Sequence, residues 1–526
     1  MQKKLALIIL DGFGVTNEQK GNAVLNANTP YFDELIKSRP NCLLRASSEE
    51  VGLPWGESGN SEVGHTNIGL GRVVLQDLPQ IDKVFEKGLF SQKENVVKAK
   101  ESLATNPGNV HIIFIASDGA VHGHIRHLKP IVKYFLENTK ANKIILHIIA
   151  DGRDVDEKSI TKYVATINDI ISNRVLIGSI SGRYYAMDRD KNYDRTTEAY
   201  RVIMGQGDRD ATTISEAIEI SYQNNETDEF IKPFAIGTSN KIDPDNDLVL
   251  FTNYRSDRAI QLARAFCDQS LAQVNNGIVV KNFYSMTTYD DNLGASVIFS
   301  NIDLYDKEIN PLTSSLCEIL SNNNLSQAHI AETEKFAHIT YFLSGGIKTP
   351  FSNQSNLLIP SDKVKSFDLA PKMKGAEISD AIIKFAQDQT NFIVANFANG
   401  DMVGHSGNYE KSIEAVEFLD ICIKRAITSL LEKGYSVIMT ADHGNCDEMI
   451  DLKNDKPSKE HSLNPVPFIL IREGIENSQV GQAKTLDFYS KEPIGVLADV
   501  APTILEIFEI ESPVEFSGIS LTSSLT

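Results

Sequence analysis

The chain is poor in the features that mark secreted, membrane-bound and nucleic-acid-binding proteins. Its 526 residues include only five cysteines. Cys42, Cys267, Cys317, Cys422 and Cys446 form no CxxC pair and are odd in number, which argues against a disulfide framework or a zinc ribbon and for a reducing compartment. No stretch approaches the roughly 20 consecutive apolar residues that a membrane span needs. The opening Met1-Gln2-Lys3-Lys4 followed by Leu5 to Leu10 imitates a signal peptide, but the apolar run is too short for an h-region and ends in Asp-Gly without a small-residue cleavage site. Positive charge is also scarce: 51 Lys and Arg stand against 70 Asp and Glu, a net charge of −19. Such a field repels nucleic acid and anionic membrane, so any anionic ligand needs a local basic pocket. Repeats, low-complexity tracts, long charge runs and a GxxxxGK[ST] nucleotide loop are missing as well. A cytoplasmic monomer acting on small molecules, with no nucleic-acid or membrane partner, is the expectation.

What the chain does have is a series of apolar runs of strand length. Leu5 to Leu10 stops at Asp11, as a central parallel strand does, and similar runs cover Val110 to Ala116, Lys143 to Ala150, Val175 to Ile180 and Leu248 to Asn253. Gly277 to Met286, Phe392 to Phe397, Tyr435 to Thr440 and Pro467 to Ile471 follow. Helical patterns lie between many of them, most clearly over Glu410 to Glu432, where Ile413, Val416, Leu419, Ile423, Ile427 and Leu430 recur at three or four residues and Gly434 supplies a stop. Strands alternating with helices predict parallel sheets of α/β type. At this length a single core is exceeded, so two domains are expected.

Several of these runs end in metal-ligand residues. Asp11-Gly12-Phe13-Gly14, Asp401-Met402-Val403-Gly404-His405 and Asp442-His443-Gly444-Asn445 each follow one, and His461 precedes Asn464-Pro465-Val466-Pro467. Carboxylates and neutral imidazoles suit Mn²⁺, Zn²⁺ or Fe²⁺, and ligands of open α/β sheets bind at the carboxyl ends of strands. Any one of these residues is more often a satisfied loop side chain; four clusters at strand ends are harder to dismiss. A fifth stretch, Gly59-Asn60-Ser61-Glu62-Val63-Gly64-His65, offers a serine that glycines would present from a loop. Its hydroxyl needs either a histidine base or a divalent cation for activation. For Asp11 and Ser61 to meet Asp401, His405, Asp442, His443 and His461, the segment between must be an insertion. The first domain would cover 1–75 and 310–526, handing over near Val73 to Pro79 and resuming near Asp306 to Pro311. The inserted domain would cover 76–309, and the two crossings would form a hinge.

The insert carries the basic pocket that the net charge calls for. Its strands lead into Asp118 to His122, Asp151-Gly152-Arg153-Asp154, Gly182 to Arg189 and Arg255-Ser256-Asp257-Arg258. Arginine forks bind carboxylate and phosphate oxygens bidentately. Any single one of these arginines is more simply a surface residue paired with a neighbouring aspartate; their repetition at strand ends favours a substrate site. Lys335, in Ala331-Glu332-Thr333-Glu334-Lys335-Phe336, belongs to the resumed first domain and is expected to add a charge from across the cleft.

Together GNSEVGH, GDMVGH, ADHGN, HSLNPVP and AETEKF resemble the cofactor-independent phosphoglycerate mutases of the alkaline phosphatase superfamily, from about Leu5 to Leu505. The resemblance implies an alkaline-phosphatase-like parallel-sheet metal domain with a second α/β domain inserted into it. It implies two divalent ions, Mn²⁺ first with Mg²⁺ or another ion as alternatives, and no 2,3-bisphosphoglycerate. One ion would be held by Asp401, His405 and His461, the other by Asp11, Ser61, Asp442 and His443, in a centre of neutral net charge. Ser61 would be the nucleophile, phosphorylated in turn. His122, Arg153, Asp154, Arg183, Arg189, Arg255, Arg258 and Lys335 match substrate-binding positions, with Asp154 as the proton shuttle between the glycerate hydroxyls. Interconversion of 3- and 2-phosphoglycerate in glycolysis and gluconeogenesis follows, with hinge closure keeping water out. The sequence departs from the family pattern at Trp55, Glu57-Ser58, around His122 over Ala120 to His124, and at Ser256, and none of these departures changes a proposed ligand. The phosphohistidine mutases, unrelated in sequence, carry an RHG tripeptide that is absent here.

Overall fold

A computed structural model describes residues 3–237, 241–290, 292–299, 314–452, 454–472, 474 and 485–525. The chain divides into two compact units, Met1–Gln76 with Pro311–Thr526, and Asp77–Asn310. The expected return near 306–311 lies outside the described residues. Among the described residues no helix is long and apolar enough to cross a membrane.

The discontinuous unit is built on an eight-stranded sheet in the order Gln354–Ile359, Gln327–Glu332, Phe392–Phe397, Leu5–Leu10, Ser436–Thr440, Val466–Ile471, Asn41–Arg45, Gly495–Val496. Leu5–Leu10 is central because it is apolar on both faces and buried throughout; it pairs in parallel with Phe392–Phe397 and Ser436–Thr440. The sheet is not wholly parallel, as expected from alternation alone. Val466–Ile471 runs antiparallel to both Ser436–Thr440 and Asn41–Arg45. That reversal matters for the site, because the amino end of Val466–Ile471 lies at the same edge as the carboxyl ends of its neighbours.

Helix Tyr409–Glu432 packs the expected stripe, with Val416, Leu419, Ile423, Ile427 and Leu430 buried. The Asn408 side chain accepts the Lys411 N–H at its start, and Gly434 adopts φ +76° just beyond its end. Each fully buried Leu or Ile contributes about 1.5–3 kcal/mol relative to an exposed one.

The other unit has its own eight-stranded sheet, ordered Ser296–Phe299, Asn282–Thr287, Leu248–Phe251, Val110–Ala116, Ile144–Ala150, Val175–Gly182, Phe234–Ile236, Asp210–Ala211. All its pairings are parallel except Val175–Gly182 with Phe234–Ile236. The run expected from Gly277 becomes strand only at Asn282, after a turn in which Asn276 and Gly277 take positive φ.

Candidate metal centre

Asp11, Asp401, Asp442 and His443 follow three adjacent parallel strands of the discontinuous unit, and His461 approaches from the antiparallel one. Ser61 departs from expectation. It is not on a loop but opens helix Ser61–Leu70, whose start is fixed by Asn60 Oδ1 accepting the Val63 N–H at 3.0 Å. The glycines serve close packing inside that helix: a Cβ on Gly64 would lie 2.5 Å from the Asp442 carbonyl oxygen, and one on Gly69 would lie 1.9 Å from that of Leu343. This approach brings the Ser61 hydroxyl onto the ligand cluster. Its Oγ lies 3.0 Å from His443 Nε2 and 3.3 Å from Asp11 Oδ1.

The imidazoles are held edge-on by backbone carbonyls. His405 Nδ1 lies 2.7 Å from Lys459 O and His461 Nδ1 2.7 Å from Gly59 O, so each Nδ1–H donates and each Nε2 lone pair points inward. The two Nε2 atoms then stand 3.1 Å apart, and each lies 3.2 Å from Asp401 Oδ1. Two facing lone pairs repel unless a positive charge lies between them, so the donor set itself fits a cation. Asp401, His443 and His461 form one potential ligand group, and Asp11, Asp442 and His65 another. His443 Nε2 is 3.5 Å from both Asp11 Oδ1 and Asp442 Oδ2 and 4.0 Å from Asp401 Oδ1, so it borders both halves.

Lys335 has a closer role in the cluster than sequence suggests: its ammonium is buried in the centre, donating to Asp401 Oδ2 at 2.6 Å, Asp11 Oδ1 at 2.7 Å and Ser61 Oγ at 2.7 Å. Burial by itself raises a carboxyl pKa, but Lys335 and the neighbouring histidines hold Asp401 well below the usual range. Burial and the adjacent Asp442 push Asp11 up despite the same lysine. Burial opposes the charge on Lys335, yet Asp11 and Asp401 keep its pKa above the ordinary lysine value. Asp401 beside the two Nε2 atoms favours a proton on them, by the hydrogen bond it would accept, and so raises His405 and, against its burial, His461. Three carboxylates against one ammonium leave excess negative charge in the site, which suits divalent metal ions.

Sequence reasoning missed the residues that brace this cluster. Asn396 Nδ2 donates to Asp11 Oδ2 at 2.7 Å and lies 3.1 Å from His65 Nε2, while His65 Nδ1 faces the Ser61 carbonyl at 2.8 Å. Asn445 Nδ2 donates to Asp401 Oδ1 at 2.9 Å. The signal was there for Asn396 as a polar residue inside the apolar strand Phe392–Phe397.

In the other unit, the expected anion-binding residues gather at the carboxyl ends of its parallel strands. Arg183 is buried and donates to Asp151 Oδ1 at 2.6 Å and to Asp154 Oδ2. Arg189 and Arg255 share Asp257, at 3.0 and 3.1 Å, and Arg153 lies 3.5 Å from Glu229. Pairing with an adjacent aspartate, which sequence alone allows, is therefore found for Arg255 with Asp257, whereas Arg183, Arg189 and Arg153 meet carboxylates from other segments. Arg258 Nη1 donates to the Met187 carbonyl at 3.3 Å; burial and the charges of Arg189, Arg183 and Arg153 lower its pKa. His122 is held to about 4 by burial and by Arg183, so it is neutral at pH 7, with Asp154 3.8 Å and Asp257 3.6 Å away.

Comparison with known proteins agrees with this chemistry. The family description of the metalloenzyme superfamily matches residues 3–512. A 2,3-bisphosphoglycerate-independent phosphoglycerate mutase of Clostridioides difficile is 41% identical, covering 99% of this chain and 100% of that protein. One of the same name from Staphylococcus aureus is 39% identical, covering 99% of each. The crystal structure of Leishmania mexicana phosphoglycerate mutase at low cobalt concentration superposes with a TM-score of 0.63 at 27% identity, covering 99% of this chain and 97% of that one. The chain is a member of the metalloenzyme superfamily, with the α/β architecture expected of it. Within that class it belongs to the family of 2,3-bisphosphoglycerate-independent phosphoglycerate mutases.

Proposed function

We propose that the chain interconverts 3-phosphoglycerate and 2-phosphoglycerate through a phosphoserine at Ser61, with two divalent cations, Mn²⁺ first and Mg²⁺ as the alternative, and without 2,3-bisphosphoglycerate. The observation that carries this reading is the convergence of Asp11, His443 and Lys335 on one buried serine oxygen. Asp401, His405 and His461 would hold one cation, and Asp11, Ser61, Asp442 and His443 the other. When bound, the cations supply Lewis-acid activation and a clamp on the transferring phosphoryl group.

The protein's own groups do the rest. Lys335 donates to Ser61 Oγ, which turns the hydroxyl proton away and stabilises negative charge as it develops on that oxygen. Three carboxylates and one ammonium against two dications leave the centre cationic even after Ser61 loses its proton. This revises the neutral centre expected without Lys335 and favours entry of a phosphate. A phosphoryl group on Ser61 would also meet the amino end of its helix. The arginines of the other unit, with His122, would hold the substrate carboxylate. As the bond from phosphorus to the glycerate O3 breaks and that to Oγ forms, Asp154 would return a proton to O3. It would then take one from the O2 hydroxyl as phosphorus moves from Oγ to O2. The five unpaired cysteines support a reducing, cytoplasmic setting, and the charge of −19 argues against nucleic-acid and membrane partners; a monomer acting on a small anion is the reading proposed.

The test is an enolase-coupled assay from 3-phosphoglycerate with no bisphosphoglycerate. Turnover with Mn²⁺, loss with chelator and loss in Ser61→Ala are expected, with a raised KM in Arg258→Ala. Turnover that needed added bisphosphoglycerate would overturn the reading.

A further inference from the structure

A second polar system lies inside the sheet of the Asp77–Asn310 unit, apart from any residue discussed so far. Asp247, His111, His147 and Ser179 are all buried and form a chain across four parallel strands or their edges. Asp247 Oδ2 lies 3.3 Å from His111 Nε2, His111 Nδ1 lies 2.9 Å from His147 Nε2, and His147 Nδ1 lies 2.8 Å from Ser179 Oγ. The arrangement is built rather than incidental. A register shift after Leu146 places Ser179 opposite His147 and leaves Gly178 out of the ladder. A Cβ at Gly178 would lie 2.9 Å from His147 Cε1, so glycine leaves room for the ring.

The donors and acceptors allow one polarity at neutral charge. Asp247 is an acceptor, because burial is outweighed by the His111 hydrogen bond and by the Asp243 and Asn109 N–H groups, which hold it ionised. His111 must then carry its proton on Nε2, which leaves Nδ1 to accept from His147 Nε2–H, and His147 Nδ1 to accept from Ser179 O–H. One added proton reverses the two inner bonds. A proton arriving at His147 Nδ1 releases the Nε2 proton across 2.9 Å to His111 Nδ1. His111 is then a cation beside Asp247, and His147 Nδ1–H donates to Ser179 Oγ. Every ring nitrogen keeps a hydrogen-bond partner in either state, and the added proton gives the Asp247 carboxylate a counter-charge.

We propose that Asp247, His111, His147 and Ser179 form a proton-reversible hydrogen-bond relay that sets the alignment of the strands carrying the substrate groups of this unit. These strands lead to His122, to Asp151, Arg153 and Asp154, to Arg183, and to Arg255. The effect on substrate rests on the function proposed above; the relay itself does not. Among the described residues, the titratable groups facing the two rings are each other and Asp247, with Asp243 touching Asp247 through its N–H. Burial and the facing His111 hold His147 well below the ordinary histidine range, so His147 does not keep the added charge.

Long-range ¹⁵N–¹H spectra of the full chain, labelled at histidine, read the tautomers directly. Near pH 8, above the ordinary histidine range, both rings should be Nε2–H tautomers. On acidification His111 should become doubly protonated while His147 changes to Nδ1–H, at one shared midpoint. Asp247→Asn removes the charge opposite the cation and should lower that midpoint by at least about one pH unit, a tenfold change in proton affinity. The KM for 3-phosphoglycerate, rather than kcat, should rise with the same midpoint and shift with it in that variant. An Nδ1–H tautomer of either ring near pH 8, separate midpoints, or unfolding before either ring changes would overturn the relay. Ring changes with a flat KM would overturn its link to substrate. An inactive wild-type enzyme with the ring transition intact would sink the proposed function and leave the relay standing.

Discussion

Replacing Lys335 by methionine keeps the length of the side chain and removes the only ammonium that contacts Asp11 and Asp401 among the described residues. In metal-free protein the substitution leaves two buried carboxylates without their partner, 2.7 and 2.6 Å from where the nitrogen stood. Removing one member of a buried ion pair costs about 3–5 kcal/mol. The unit that contains it has about 290 residues. At about 2.1 cal/mol/K of unfolding entropy per residue, that loss lowers its Tm by roughly 5–8 °C. Calorimetry of Lys335→Met and wild type should show this gap in chelator. In saturating Mn²⁺ the cations neutralise the same carboxylates, so the gap should close to about 2 °C or less. Equal losses in both conditions would mean that Lys335 is an ordinary packing residue, and a variant more stable than wild type in chelator would refute the charge argument.

Glu332, buried at the end of strand Gln327–Glu332, is raised by burial to about 7, with the Lys374 N–H offsetting part of the shift. Its folded form holds a proton more tightly than the unfolded chain, so its contribution is present at low pH and is lost as pH rises from about 4.5 through 7. Glu332→Gln should therefore stabilise the protein by roughly 2–3 kcal/mol near pH 8 and hardly at all near pH 4.5, as read by urea titration at both. Gly64→Ala drives a methyl group against the Asp442 carbonyl and should cost about 1–3 kcal/mol while weakening Mn²⁺ binding; unchanged affinity by calorimetric titration would separate the helix from the centre. Asn445→Ala removes the amide that orients Asp401 and should lower Mn²⁺ affinity about 10–100-fold with little change in Tm.

Much of the sheet framework could be read from sequence because its inner strands are unbroken apolar runs: Leu5–Leu10, Val110–Ala116 and Phe392–Phe397 have the boundaries their patterns imply. Gln327–Glu332, Gln354–Ile359 and Asn41–Arg45 escaped because each mixes polar residues into a short segment, and Gln354–Ile359 is a half-exposed edge. Asp11, Asp401, Asp442 and His443 were legible as candidates because they follow apolar runs, and His461 because it precedes one. The position of Lys335 was not, since an ammonium in a surface-like AETEKF run gives no sign that it is buried. Nor was the His111–His147 relay, whose members lie in four separate segments and meet only through strand pairing.

The claim at the centre is that the Ser61 oxygen takes the phosphoryl group and gives it back. Metal-loaded protein mixed with ³²P-labelled 3-phosphoglycerate, quenched in acid and digested, shows where the label resides. Phosphate on the peptide containing Ser61, formed fast enough for turnover and absent together with activity in Ser61→Ala, is the expected result. Label on a histidine, or interconversion of the two phosphoglycerates by Ser61→Ala, would contradict it.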